Sequence, residues 1–314
     1  MSQRSPSQVC HHADFLRQCA ADLDAEINAH PPEESTKEFL ITIKSFMIAL
    51  NGSFSQHHDP ITFVEADLHH IWHMVLEVAK ITGLEDTTHD SLILLLLYFK
   101  ELGTLGGNIE GVDEEAVIAD GGRAWTDLPY FGADLLAAWK ESAGMTAKHR
   151  INLAAFTGKC VAHGVGGTDT VLSALWLLEE AFRGDGELAA SEIAVDLVEL
   201  LPVCTALLQN CCHKLLKLCN SSDQGPAGEF SMGRWLSWRR QFQVLSQSED
   251  RALAQEAKCG FDSMINCGRE MGYIVEGEER YWAKVMGLLA DVLKRSGKES
   301  VGLEDIVADP SWAD

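Results

Sequence analysis

Basic side chains are scarce in this sequence. It carries 25 Lys and Arg against 47 Asp and Glu over 314 residues, a formal charge of -22. Such a field repels phosphate backbones and anionic bilayers, so no nucleic-acid partner and no membrane partner is expected. Long apolar runs are lacking as well. The longest, Leu92 to Phe99, is far short of the about 20 residues that cross a bilayer, and it fits a helix buried nearly all round. The opening MSQRSPSQVCHHADF holds no apolar signal-peptide core, and the closing PSWAD has no prenylation box. The nine cysteines are odd in number and follow no paired framework spacing. Together with the missing leader, they point to a reducing, cytoplasmic compartment.

Reaction motifs are missing too. There is no P-loop, no G-x-S-x-G elbow, no paired-aspartate helix motif and no EF-hand periodicity. HGVGGTD, residues 163–169, puts Asp169 where the last glycine of a dinucleotide fingerprint would stand, and it follows a helical pattern, not a strand. No cofactor and no catalytic residue is assigned on these grounds. Strand signals are scarce, with few alternating Val, Ile and Thr runs.

Helical periodicity is what fills the chain, and 46% hydrophobic residues allow a sizeable core. The pattern predicts an all-α fold: one multi-helix domain of packed antiparallel hairpins. Helices are expected over about 13–28, 35–50, 61–81, 87–102, 147–162, 170–182, 191–200, 202–219, 231–247, 250–271 and 278–295, with another after WTDLP. Ser35-x-x-Glu38 reads as a capping box, Thr87-x-x-Asp90 as a helix start and Gly83 as a helix end. A glycine-rich acidic loop over 103–122 is a candidate boundary between lobes 1–102 and 123–296, with 297–314 as a tail. Residues 79–103 and 160–184 faintly echo each other as helix end, glycine turn, polar cap and apolar helix, which generic helix-turn-helix chemistry also produces.

SMGRWLSWRRQF, residues 231–242, stands apart in so acidic a chain. On a helix begun at Ser231, Trp235, Trp238, Phe242 and Leu245 share one face, and Arg234 lies one turn from Trp238, within reach of its ring. One reading is a core helix with surface arginines. Another is an aromatic wall with a fixed cation, suited to a small apolar molecule carrying an anionic or carbonyl handle. A protein hot spot is the third, since Trp and Arg dominate such spots. In LHHIWHM, His69 and His73 take the spacing of a metal pair. A third ligand is missing locally, His70 falls with Met74 and Glu77 on another face, and His-His recurs at 11–12 and 57–58. These read as adventitious surface histidines, and no metal is assigned. Cys204, Cys211, Cys212 and Cys219 fall at heptad spacings with Leu208 and Leu215, as small apolar residues of a buried stripe.

Four stretches recur in order: IWHMVLEVAKIT…HDSLILLLLYFKELG, WTDLPYFGADLLAAW, INLAAFTGKCVAHG and RWLSWRRQF. Together, over roughly 61–271, they resemble a fungal family catalogued as domain of unknown function 3632. The resemblance implies a soluble, mainly helical protein and no reaction. Its recurring positions here are Trp72, Trp125, Asp127, Pro129, Asn152, Phe156, Arg234, Trp235 and Trp238. WTDLP reads as a helix-entry turn with Asp127 placed to cap. Asn152, an amide on an apolar helix, must find backbone or ligand partners.

Two functional classes stay open, and enzyme status is not decided between them. The first is an interaction or scaffold module for an unknown protein partner, motivated by the absent reaction motifs. The second is a cofactor-independent enzyme or binder of a small apolar molecule in fungal specialised metabolism, with Arg234, Trp235, Trp238, Asn152, Phe156 and Trp125 as ligand-binding residues.

Overall fold

The computed structural model describes residues 6–29, 32–57, 61–103, 106–109, 112–115, 117–118, 120–182, 195–220, 230–275, 277–297 and 300. It is all-α apart from one short hairpin. The helices are α1 (Pro6–Ala29), α2 (Pro32–His57), α3 (Ile61–Ile81), α4 (Thr88–Leu102), α5 (Phe131–Lys140), α6 (Ala147–His163), α7 (Gly167–Ala181), α8 (Val195–Asn220), α9 (Met232–Leu245), α10 (Arg251–Glu270) and α11 (Glu278–Ser296). Among the described residues no helix is long and apolar enough to cross a membrane.

Strands β1 (Gly106–Ile109) and β2 (Val112–Glu115) pair antiparallel inside the stretch expected to be loop. Ile109 pairs with Val112 at one end of the ladder and Gly106 with Glu115 at the other. Contacts divide the chain into two compact units, Met1–Ala174 and Leu175–Asp314. Residues 103–122 therefore lie within the first unit, and the division falls inside α7. Of the expected tail, 298–299 and 301–314 lie outside the described residues.

In the first unit α3 is the central element, packed by α1, α2, α5 and α6, while α4 packs on α2 and α6. Its sequence explains this. Phe63, Val64, Leu68, Ile71, Trp72, Val75, Val78 and Ala79 are all buried, too wide an arc for a surface helix. Trp72 is fully buried, edge-on to Trp125 and Phe131, and its indole N–H donates to the Pro129 carbonyl at 2.8 Å. Truncating such an anchor costs about 3–5 kcal/mol.

The second unit is built on α8 packed along α10, with α9 against both. Cys204, Leu208, Cys211, Cys212, Leu215 and Cys219 are buried as the heptad spacing predicts. The first turn of α11 is tied on by a part-buried Arg239–Glu278 ion pair and by the Tyr281 ring edge-on to Phe261.

Several boundaries move. α2 begins at Pro32, since proline suits a first turn. It continues past Asn51-Gly52 because Leu50 and Phe54, one turn apart, are both buried. The side chain of Ser35, and with it the expected capping box, lies outside the described residues. α8 runs through Pro202 as one helix. The carbonyl the proline frees belongs to Val198, which is exposed to solvent. Thr87 makes no side-chain cap on α4; Asp86 instead accepts the Thr88 N–H at 2.8 Å. Gly83 is not left-handed. HGVGGTD is the tight α6–α7 turn, where Gly164 at φ 68° lets the Val165 N–H reach back to the Cys160 carbonyl.

Candidate functional site

The six ligand residues expected from the sequence all have structural partners. Trp125 is fully buried, and its indole N–H donates to Asn51 Oδ1 at 2.6 Å. Phe156 is fully buried, edge-on to Phe131. The Asn152 amide donates to the Lys80 carbonyl at 2.8 Å, satisfying the last turn of α3. These three belong to the first unit. In the second, Trp235 and Trp238 are 2% and 4% exposed, on the core face of α9 with Phe242 and Leu245. The Arg234 guanidinium donates to Glu179 at 2.6 Å. The opening of α9 is fixed by Ser231, whose side chain accepts the Arg234 N–H. Asp127 accepts the Arg123 N–H within its own turn and does not cap α5.

The polar convergence lies elsewhere in the first unit, on the histidines read as adventitious. His69, His73, Leu76, Glu77 and Lys80 form one stripe of α3, and Asp134, Ala137 and Ala138 form one stripe of α5, with Glu141 as its C-cap. With Met145 they line a cleft of about 390 Å³.

His69 is half-exposed, and its Nδ1 lies 2.8 Å from Asp134 Oδ2. A carboxylate only accepts, so Nδ1 carries the proton and Nε2 is the basic nitrogen. The hydrogen bond to Asp134 holds the imidazolium above its ordinary 6.5, against the opposing effect of burial. The Tyr130 ring stacks on His69 with centroids 4.4 Å apart, and its hydroxyl donates to Glu65 at 3.1 Å. Burial, then Glu65, push the phenol up to about 12, so it stays a neutral donor. Tyr130 sits at φ 68° and Leu128 at φ 48°, left-handed positions that cost a non-glycine residue roughly 1–3 kcal/mol. The bond from Trp72 to the intervening Pro129 carbonyl holds the strained turn that aims Tyr130 at the histidine.

One turn along α3, His73 Nε2 lies 3.1 Å from Asp24 Oδ1 of α1, and Glu77 pairs with Lys80. One ligand atom each from Asp24, His73 and Glu77 lie within 4.8 Å of one another. A carboxylate from another helix thus stands beside His73, and Glu77 stands one turn from His73 as well as on the His70 face. His70 points inward instead: it is 6% exposed, edge-on to Phe46.

The model of a family described as a protein of unknown function (DUF3632) matches residues 72–242, more than half of the chain. The chain belongs to that family. A curated relative from Penicillium oxalicum, named "Oxopyrrolidines biosynthesis cluster protein G", is 28% identical over 244 residues, covering 65% of this chain and 67% of the relative. No solved structure matches.

The match to DUF3632 opens on Trp72, the residue that holds the strained turn, and it spans His73, Glu77, Tyr130 and Asp134. His69, Glu65 and Asp24 precede it. Asp134 stands inside a stretch that carries the family resemblance, yet nothing in the sequence pairs it with a histidine 65 positions earlier.

Proposed function

We propose that this DUF3632 protein works in fungal specialised metabolism on a small carbonyl compound held in the α3–α5 cleft, with His69 as proton acceptor. The observation that carries this reading is the His69–Asp134 pair opening onto the cleft. Asp134 fixes the tautomer, leaving Nε2 to take a proton from carbon next to a carbonyl. Lys80 lines the same cleft and offers a cation to the developing enolate oxygen. The proton returns to a different carbon or to oxygen, so no redox partner is needed. The relative's printed name, a biosynthesis-cluster protein, supports a small-molecule role. Arg234, Trp235 and Trp238 carry no part of it.

Deuterium exchange is the test. Carbonyl metabolites with an acidic C–H, cyclic lactams among them, are incubated with the protein in deuterated buffer and followed by NMR. Catalysed exchange should fall at least about a hundredfold in His69→Gln. Equal exchange by wild type and variant would falsify the assignment.

A second reading, an interaction module, is favoured by Leu94, Tyr98 and Leu102 of α4. They are 65%, 55% and 49% exposed and share one face. A Leu94→Ser, Tyr98→Ser variant should then lose a partner found by proximity labelling in a fungal host while keeping its melting temperature. Retention of every labelled partner counts against that reading.

A further inference from the structure

We infer that Asp24, His73 and Glu77 form a binding site for one divalent transition-metal ion of the zinc class. Nothing in the family description or the relative's name assigns a metal. The inference does not rest on the chemistry proposed for His69, since the metal alone is its probe.

Three observations build the site. First, the donor set is mixed: one imidazole and two carboxylates, the combination borderline cations take in preference to an all-oxygen cage. Second, the spacing fits. His73 and Glu77 are one turn apart on α3, and Asp24 arrives from α1, so two rigid helices fix the donors. The His73 Nε2 to Asp24 Oδ1 separation is 3.1 Å. Ligands about 2.0–2.1 Å from a tetrahedral zinc stand roughly 3.3 Å apart, so these two donors already span one edge of such a polyhedron. All three donors fall within 4.8 Å, a closure that rotamer adjustment supplies. Third, His73 and Glu77 line the open cleft, and Asp24 beside them is about half exposed. A fourth position therefore faces solvent or a bound molecule, as catalytic sites require and closed structural sites do not.

The cation takes the place of two existing contacts. It displaces the proton on His73 Nε2 that is shared with Asp24, and it displaces the Lys80 ammonium from Glu77. Lys80 is then released into the cleft it lines. The strongly acidic chain raises the local cation concentration.

The experiment uses the full chain, stripped with chelator and titrated with zinc by calorimetry, with cobalt(II) absorption as a second readout. One zinc per chain should bind saturably, and cobalt should give the visible bands of a low-coordinate nitrogen–oxygen site. Glu77→Gln and His73→Gln should each weaken zinc at least tenfold and bleach the cobalt bands. Glu77→Gln matters most, because it leaves the His73–Asp24 bond between α1 and α3 intact and so preserves the fold. His213→Gln, which removes a surface histidine paired with Glu270, should bind like wild type. The inference is overturned if wild type takes up no zinc, or if Glu77→Gln and His73→Gln bind it as wild type does. It is also overturned if His213→Gln alone loses the metal, since binding is then at the surface.

Discussion

Three histidines within five positions of α3 meet three environments, and each environment sets what the ring can do. His69 gains a proton-holding partner in Asp134, so its imidazolium survives above 6.5. If neutral His69 is the base, activity falls as pH drops through that raised value. Asp134→Asn removes the carboxylate charge that favours the imidazolium, and the acid limb of the pH–rate profile should move to lower pH; an unmoved limb means Asp134 does not act through His69. His70 is the opposite case. Burial, helped by the neighbouring charges of His73 and His12, pushes it down to about 4. The unfolded chain takes up this proton near 6.5, the folded chain only near 4. The contribution to stability is therefore whole above 6.5 and drains away as pH falls from 6.5 to 4, by at most about 3 kcal/mol. His70→Phe keeps a ring against Phe46 and abolishes the titration. The urea-measured stability difference between pH 7 and pH 4.5 should be smaller in His70→Phe than in wild type by about 1–3 kcal/mol. Equal differences would show that His70 titrates normally in the fold.

At the scale of elements, what the sequence made legible was local. The starts of α6, α9 and α10 follow from Thr146, Ser231 and Asp250, each accepting a backbone N–H in the first turn, because a cap is satisfied within three residues. Asp250 accepts from both Ala252 and Leu253. Asp250→Ala should cost about 1 kcal/mol in a chemical melt, and a change near zero would mean that helix packing alone sets this end. The misjudged features are those decided by distant residues. α2 crosses Asn51-Gly52 and α8 crosses Pro202 because burial on either side outweighs the local breaker. The cleft was illegible for the same reason. Asp24 and Asp134 reach their histidines across 49 and 65 positions, and no periodicity carries such a pairing. The Trp-Arg pattern of α9 was read correctly as one face, but only packing decides whether a face is a wall or a core. Gly260 of α10 shows how tight that packing is: an added Cβ would lie 2.3 Å from a ring carbon of Phe242. Gly260→Ala should destabilise by about 1–3 kcal/mol, with the loss recovered in part by Phe242→Leu on the same background. Full additivity of the two changes would place the strain elsewhere.

At the scale of the whole molecule, the scarce positive charge and the abundant thiol meet in one expectation. Thiolate is the reactive form of cysteine, and low dielectric without a nearby cation suppresses it. Of the eight described cysteines, Cys160, Cys204, Cys211, Cys212, Cys219 and Cys267 are buried, while Cys19 and Cys259 are partly open. Burial pushes Cys204 and Cys219 up to about 12, roughly a thousandfold less thiolate than at an ordinary value. Five of the six buried thiols belong to α8 and α10, the paired helices of the second unit. A maleimide pulse on the native protein, read peptide by peptide in a mass spectrometer, should therefore label Cys19 and Cys259 within minutes. The six buried positions should wait for unfolding, and the five of α8 and α10 should then react together. Labelling of Cys211 or Cys212 at the rate of Cys19 would mean that α8 and α10 part in the native state. The heptad thiols would then line an opening interface and not a core, and the second unit would have to be re-examined for a site.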